Sequence, residues 1–149
     1  MFAVTETVSI ARSAREAFEF FTDVSNRPKW DATVVSEELT SPPPVAVGST
    51  IHTRMRVMGR EVDFDWRVTQ FEPPSRMAVT STAGLMSTSL TFDVTAVGEG
   101  CDVSATIEGE PEGMMQLVEP LIAQGVRSTL AAGLARAKTL LETPAGLIS

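Results

Sequence analysis

Few side chains in this chain are equipped to move a proton or attack a bond, and their placement narrows the choice further. There is one histidine, His52, one cysteine, Cys101, and no tyrosine, so acid–base work falls mainly to carboxylates. His52 stands in a run where Ile51, Thr53, Met55 and Val57 alternate with His52, Arg54, Arg56 and Met58. That parity turns the imidazole outward toward Asp65, and a carboxylate neighbour favours its protonated form. A surface pair is the reading, and with the only histidine so engaged no Ser–His–Asp arrangement can be assembled. Cys101 opens an inward-facing strand and reads as a small buried apolar residue rather than a nucleophile. Alone it builds neither an intramolecular disulfide nor a zinc site, and no metal or cofactor is expected. Ser81, Thr82, Ser87 and Thr88 bring hydroxyls without a visible base. Glu6 is the weak catalytic candidate, because it shares the inward parity of Val4 and Val8. An interior carboxylate has a raised pKa suited to general-acid work or to anchoring a ligand. The other reading of Glu6 is a wet strand end that ionises freely.

The elements that must position these groups are legible in the apolar periodicity. From Thr50 to Phe71, period-two alternation on both sides of Gly59 predicts a β-hairpin turning at Met58-Gly59. Val57 then faces Arg60, Met55 faces Val62, Thr53 faces Phe64, and Ile51 faces Trp66. On the other face Arg56 meets Glu61, Arg54 meets Asp63, and His52 meets Asp65. A one-residue slip would ruin both faces at once. The inward face reads as a wall for something apolar or as ordinary core. A second hairpin spans Ser87 to Glu110, its four-residue loop Val97–Gly100 setting Ala96 opposite Cys101, Val94 opposite Val103, and Phe92 opposite Ala105.

Phe2 to Ile10 reads as a strand. Ser13 and Glu16 have capping-box spacing, and Ala14, Ala17, Phe18, Phe21 and Val24 form the stripe of a first helix. Asn26-Arg27-Pro28 breaks it, and further strands are expected near Thr33–Thr40 and Arg76–Thr82. From about Glu112 to Glu142 the period becomes helical through Met115, Val118, Ile122, Val126, Thr129, Gly133, Ala137 and Leu140. Pro120 should kink this helix or begin it anew. Gly125 and Gly133 make sense where the helix passes close to another backbone, and Pro144 and Gly146 should close it. A sheet with one apolar face must be covered, and this helix is the element able to do so.

Composition sets the outer bounds. At 149 residues, 43% hydrophobic and 21% charged, the chain reads as one globular domain over 1–149. A net charge of −7 argues against a nucleic-acid partner, which needs clustered Lys and Arg. No signal-peptide pattern and no membrane-length apolar run is visible, so a soluble cytoplasmic protein, monomer or homodimer, is expected.

Several short motifs then carry a resemblance: Ser13-Ala-Arg-Glu-Ala-Phe18, Thr22-Asp23-Val-Ser-Asn26, Pro28-Lys-Trp30-Asp31, Val47-Gly48-Ser49-Thr50, Gly59-Arg60, Phe71–Arg76, and Leu134–Glu142. In order and spacing the chain resembles the START-like or SRPBCC superfamily, and within it the polyketide cyclase/dehydrase-like branch. The resemblance implies an α+β helix-grip fold, with a curved antiparallel sheet of about seven strands around a long C-terminal helix. Two short helices lie between strands 1 and 2. It also implies a hollow between helix and sheet, here lined by Trp30, Thr53, Met55, Phe64, Trp66, Met77, Phe92, Met115, Val118 and Ile122. Its mouth would lie at Thr82–Met86 and Pro111–Met115. The function so implied is binding of a small hydrophobic ligand such as a lipid or polyketide-like metabolite. A cyclase or aromatase relying on Glu6 or water is the alternative, and a co-chaperone-like module using the outer sheet face is a third.

Overall fold

A computed structural model describes residues 1–143. Strand β1 (Phe2–Ile10) is followed by helix α1 (Ala14–Thr22), a 3₁₀ turn at Val24–Asn26, and the one-turn helix α2 (Arg27–Trp30). Six strands come next: β2 (Val34–Leu39), β3 (Thr50–Val57), β4 (Arg60–Glu72), β5 (Arg76–Ala83), β6 (Ser87–Val97) and β7 (Gly100–Glu110). A second 3₁₀ turn at Gly113–Val118 leads into α3 (Glu119–Glu142). The strands form one antiparallel sheet in the order β1-β7-β6-β5-β4-β3-β2. This is the helix-grip architecture expected from the sequence.

Local chemistry accounts for the boundaries. Ser13 accepts a hydrogen bond from the Glu16 amide (3.1 Å) and donates its hydroxyl to the Glu16 carboxylate (3.0 Å), so Ser13 caps α1 at the expected spacing. The β3–β4 turn takes positive φ at both Met58 (51°) and Gly59 (77°), the geometry that matches strand twist. The β3–β4 register is the one expected, pair for pair from Val57–Arg60 to Ile51–Trp66. In the β6–β7 hairpin the expected partners also meet, but the ladder continues to Val97–Gly100, so the loop is Gly98-Glu99 alone. Pro120 sits in the first turn of α3, where its missing N–H costs nothing, and the helix begins there. Val24 lies in the 3₁₀ turn rather than in α1. Pro144 and Gly146 lie outside the described residues.

The core occupies the concave side, between the sheet and one stripe of α3. Phe21 packs on Trp30 (5.2 Å between ring centroids) and on Phe92 (5.4 Å), and Leu130, Leu134 and Ala137 close over them. The end of α3 is tied back to the β1–α1 connection. The Ala11 amide donates to Glu142 (2.8 Å) and Arg12 Nε donates to the Leu141 carbonyl (2.9 Å).

The two helical glycines differ. A Cβ on Gly133 would stand 3.0 Å from Trp30 Cε3 and 3.1 Å from the Trp30 carbonyl oxygen. That is the close approach expected from the sequence. A Cβ on Gly125 would meet nothing within 4 Å. Opposite effects follow. Gly125→Ala should raise stability by up to ~1 kcal/mol through helix propensity. Gly133→Ala should lower it by ~1–3 kcal/mol, since the buried indole and its carbonyl cannot give way. Urea unfolding of both variants checks the signs.

Candidate functional site

Between the N-terminal half of α3 and the sheet lies an open cavity of about 460 Å³. Sheet residues Met55, Phe64, Trp66 and Leu90 form one wall, and Met115, Val118, Ile122, Val126 and Leu130 form the other. The volume is within the ~300–1,000 Å³ of small-molecule sites, and the lining is mostly apolar. Around the mouth stand Met58, Leu85 and Leu121, exposed at 71%, 39% and 69%.

The residues expected around the hollow divide. Met55, Phe64, Trp66, Met115, Val118 and Ile122 line the cavity, whereas Trp30, Thr53, Met77 and Phe92 do not. Trp30, the last residue of α2, is buried against Phe21, Phe92 and Gly133. Met77 and Phe92 border only a small void of about 30 Å³ under α1, large enough for water and for no organic ligand. Thr53 is buried beneath Trp66, from whose Nε1 it accepts a hydrogen bond (3.0 Å). At the mouth, Leu85, Met86 and Met115 line the cavity, and so does Thr88, whose hydroxyl donates to the Met86 carbonyl (3.0 Å).

Glu6 is not in the cavity wall. It faces α3 further along, 4.0 Å from Arg127, with 29% of its side chain exposed, so its inward parity leads to a half-wet ion pair. His52 lies on the outer face, with Nδ1 2.7 Å from Asp65 and Nε2 3.2 Å from Asp63. The hydrogen bond to Asp65 leads in raising its pKa above 6.5, against partial burial. Arg54 Nε donates to Glu61 (2.7 Å) rather than chiefly to Asp63, and Arg56 also reaches Glu61 (3.4 Å). On this face His52, Arg54 and Arg56 are thus paired with Asp63, Asp65 and Glu61. Cys101 is buried, and desolvation raises its pKa, with Asp102 adding to it, so the thiol stays protonated.

Sequence reasoning missed the one ionic cluster found in the cavity wall among the described residues. Arg27 donates through Nε (3.1 Å) and Nη2 (2.9 Å) to Asp31 Oδ2, and its Nη1 stands 3.5 Å from Glu37 Oε2. The guanidinium carbon lies 5.1 Å over the Trp30 ring, a cation–π contact. Glu37 accepts from the Thr53 hydroxyl (2.7 Å), which extends the chain of bonds to Trp66. Asp31 caps α2 and takes the Thr33 amide (3.0 Å) and hydroxyl (2.7 Å) on its other oxygen. Arg27, Asp31 and Thr33 border the cavity, and Glu37 stands behind them. Burial opposes the Arg27 charge, but Asp31 and then Glu37 outweigh it and hold its pKa above the ordinary value. For Glu37 burial leads and pushes the carboxyl up, against the pull of Arg27 and the Thr53 hydrogen bond.

The signal for Glu37 was hidden by a β-bulge. Pairing runs Val34–Met55, then Ser36–Arg54 and Glu37–Thr53, so one extra residue at Val35 reverses the parity and brings Glu37 inward. The signal for Arg27 was its i,i+4 spacing to Asp31, which reads as a breaker when Pro28 dominates.

Comparison with known proteins agrees with this architecture. The model of the family described as polyketide cyclase/dehydrase and lipid transport matches residues 1–142. The chain belongs to that family. Its fold is shared by a protein of Thermus thermophilus (TM-score 0.81, 16% identity, covering 94% of this chain and 97% of that one). A START superfamily protein from Mycobacterium smegmatis gives a TM-score of 0.79 at 15% identity, covering 94% and 97%. A di-domain ARO/CYC protein, BexL, from the BE-7585A biosynthetic pathway gives 0.74 at 15% identity, covering 96% of this chain and 48% of that one. The chain thus shares its fold with a START superfamily protein. No curated protein matches its sequence.

Two pH dependences follow. His52 has its folded pKa above the ordinary 6.5, so its contribution to stability is full below that value. It is lost as pH rises through the folded pKa. Being the only histidine, it gives a single imidazole titration by NMR, whose midpoint should lie above 6.5 and fall in Asp65→Asn. Glu37 has its folded pKa above 4.5, so burial favours folding below 4.5 and disfavours it as pH rises through the folded value. Urea unfolding across that range should show Glu37→Gln gaining on the wild type as pH rises. Arg27→Met, which strands two buried carboxylates, should cost ~3–5 kcal/mol at neutral pH.

Proposed function

We propose that the protein is a cytoplasmic carrier that binds a small hydrophobic molecule, of lipid or polyketide-like character, in the cavity between α3 and the sheet. The observation that carries this reading is the cavity itself: about 460 Å³ with a mostly apolar lining. Each methylene buried there contributes ~0.8 kcal/mol, so affinity comes from surface removed from water. Family membership, whose description includes both cyclases and lipid transport, supports the same class.

Two local departures from good folding practice strengthen it. A positive-φ turn position favours Asn, yet position 58 is Met, which lines the cavity with most of its side chain exposed. A helix interior disfavours glycine, yet Gly125 faces the cavity with open space before it. Both residues sacrifice local stability where the gain is room or apolar surface at the cavity.

The cyclase or aromatase reading needs an acid–base group beside the substrate. Glu6 does not supply one, and the charged groups of the wall are Arg27, Asp31 and Arg56, all engaged with protein partners. That inventory favours holding over turnover. The outer sheet face, where His52, Arg54 and Arg56 are paired with Asp63, Asp65 and Glu61, gives the protein-interaction reading little to work with.

The test is titration with a fluorescent apolar probe, 1-N-phenylnaphthylamine, on the wild type, Gly125→Leu and Met58→Asn. Gly125→Leu should keep the fold by circular dichroism and weaken the probe at least about tenfold, equivalent to ~1.4 kcal/mol. Met58→Asn should raise the melting temperature while weakening the probe more modestly. Absence of saturable binding, or binding indifferent to Gly125→Leu, refutes a ligand site in this cavity. Native mass spectrometry of gently purified protein would give the mass of any molecule retained.

A further inference from the structure

We propose that the cavity selects an uncharged apolar molecule carrying a hydrogen-bond donor, an alcohol or a phenol, and turns away carboxylates. The inference rests on the carrier reading and specifies the ligand's polar end.

The ionic cluster in the wall contains one base and two acids, so with both carboxylates ionised Arg27, Asp31 and Glu37 sum to a formal charge of −1. The three side chains are only 11%, 8% and 9% exposed, so solvent screens them weakly. A ligand carboxylate lowered beside them would add a second uncompensated negative charge in a dry site. It would have to share the one guanidinium with two acids already held by it.

Hydrogen bonding points the same way. At the wall Arg27 Nε and Nη2 donate to Asp31, the Thr33 hydroxyl donates to Asp31, and Trp66 Nε1 donates to Thr53. The Thr33 hydroxyl, after donating its proton, keeps a lone pair beside the cavity. A ligand hydroxyl completes that set, whereas a carboxylate brings acceptors only. The remaining wall cation, Arg56, stands 62% exposed and paired with Glu61, so it could hold a carboxylate that enters in the opposite sense.

The experiment therefore compares naphthalene, 2-naphthol and 2-naphthoate by calorimetry at neutral pH, in an Arg56→Gln background that removes this second anchor. Expected is 2-naphthol tighter than naphthalene, and 2-naphthoate at least about tenfold weaker than 2-naphthol. Adding Glu37→Gln should strengthen 2-naphthoate about tenfold and leave naphthalene unchanged. Thr33→Val, which alters no charge, should weaken 2-naphthol alone and serves where the Gln variant is poorly folded. If naphthalene binds but 2-naphthoate matches 2-naphthol, or neither variant shifts its ligand, charge selection is refuted and the carrier reading stands. If naphthalene itself does not bind, the carrier reading falls and this inference falls with it.

Discussion

The architecture hangs on how one helix lies on one curved sheet. A seven-stranded antiparallel sheet with a single apolar concave face requires a cover, and α3 is the long element available. Over its C-terminal half the helix is drawn in. Gly133 lets the Trp30 backbone approach, Ala137 is fully buried, and the end is tied to Ala11 and Arg12. Over its N-terminal half, long side chains alternate with an open space at Gly125, and helix and sheet part. The same amphipathic stripe therefore serves two purposes: closed core at one end and cavity wall at the other.

The Arg27 cluster is the joint between these two regions. It ties α2 to β2 through Asp31 and Glu37, and it reaches Trp66, a cavity wall, through Thr53. Burying three charges is expensive, and an apolar replacement of similar volume is often as stable, so the cluster is weak evidence for stability as such. Its position is the better clue. It puts fixed polar groups on one side of an otherwise apolar hollow, which is the arrangement that orients a ligand rather than merely admitting it.

What could be read in the sequence was the face of each strand. The β3–β4 register follows from alternation because a slip would expose Phe64 and Trp66 while burying Asp63 and Asp65. Parity does not report how far the helix stands off at each point along a strand. Met77 and Phe92 point inward as expected, yet they lie where α1 fills the space, while Phe64 and Leu90 lie where nothing does. Glu6 has the right parity and meets Arg127 instead of a ligand site. Glu37 was illegible for a different reason, since the bulge at Val35 shifts the phase of a six-residue strand. Short strands carry too few repeats to reveal such a shift.

Several departures from local preference lie near the cavity. Met58 occupies a left-handed turn position, Gly125 interrupts a helix, and Leu121 and Leu117 stand in water at 69% and 80% exposure. At the closed end Ser13 caps α1, small residues sit where the helix is nearest and aromatic rings interlock, while the buried Trp30 Nε1 has no hydrogen-bond partner. A sequence selected for stability alone would not keep Met58 and Gly125 there, because each could be repaired by one substitution. Met58, Gly125 and Leu121 at the cavity fit the proposed binding role, which needs apolar surface kept available to a ligand.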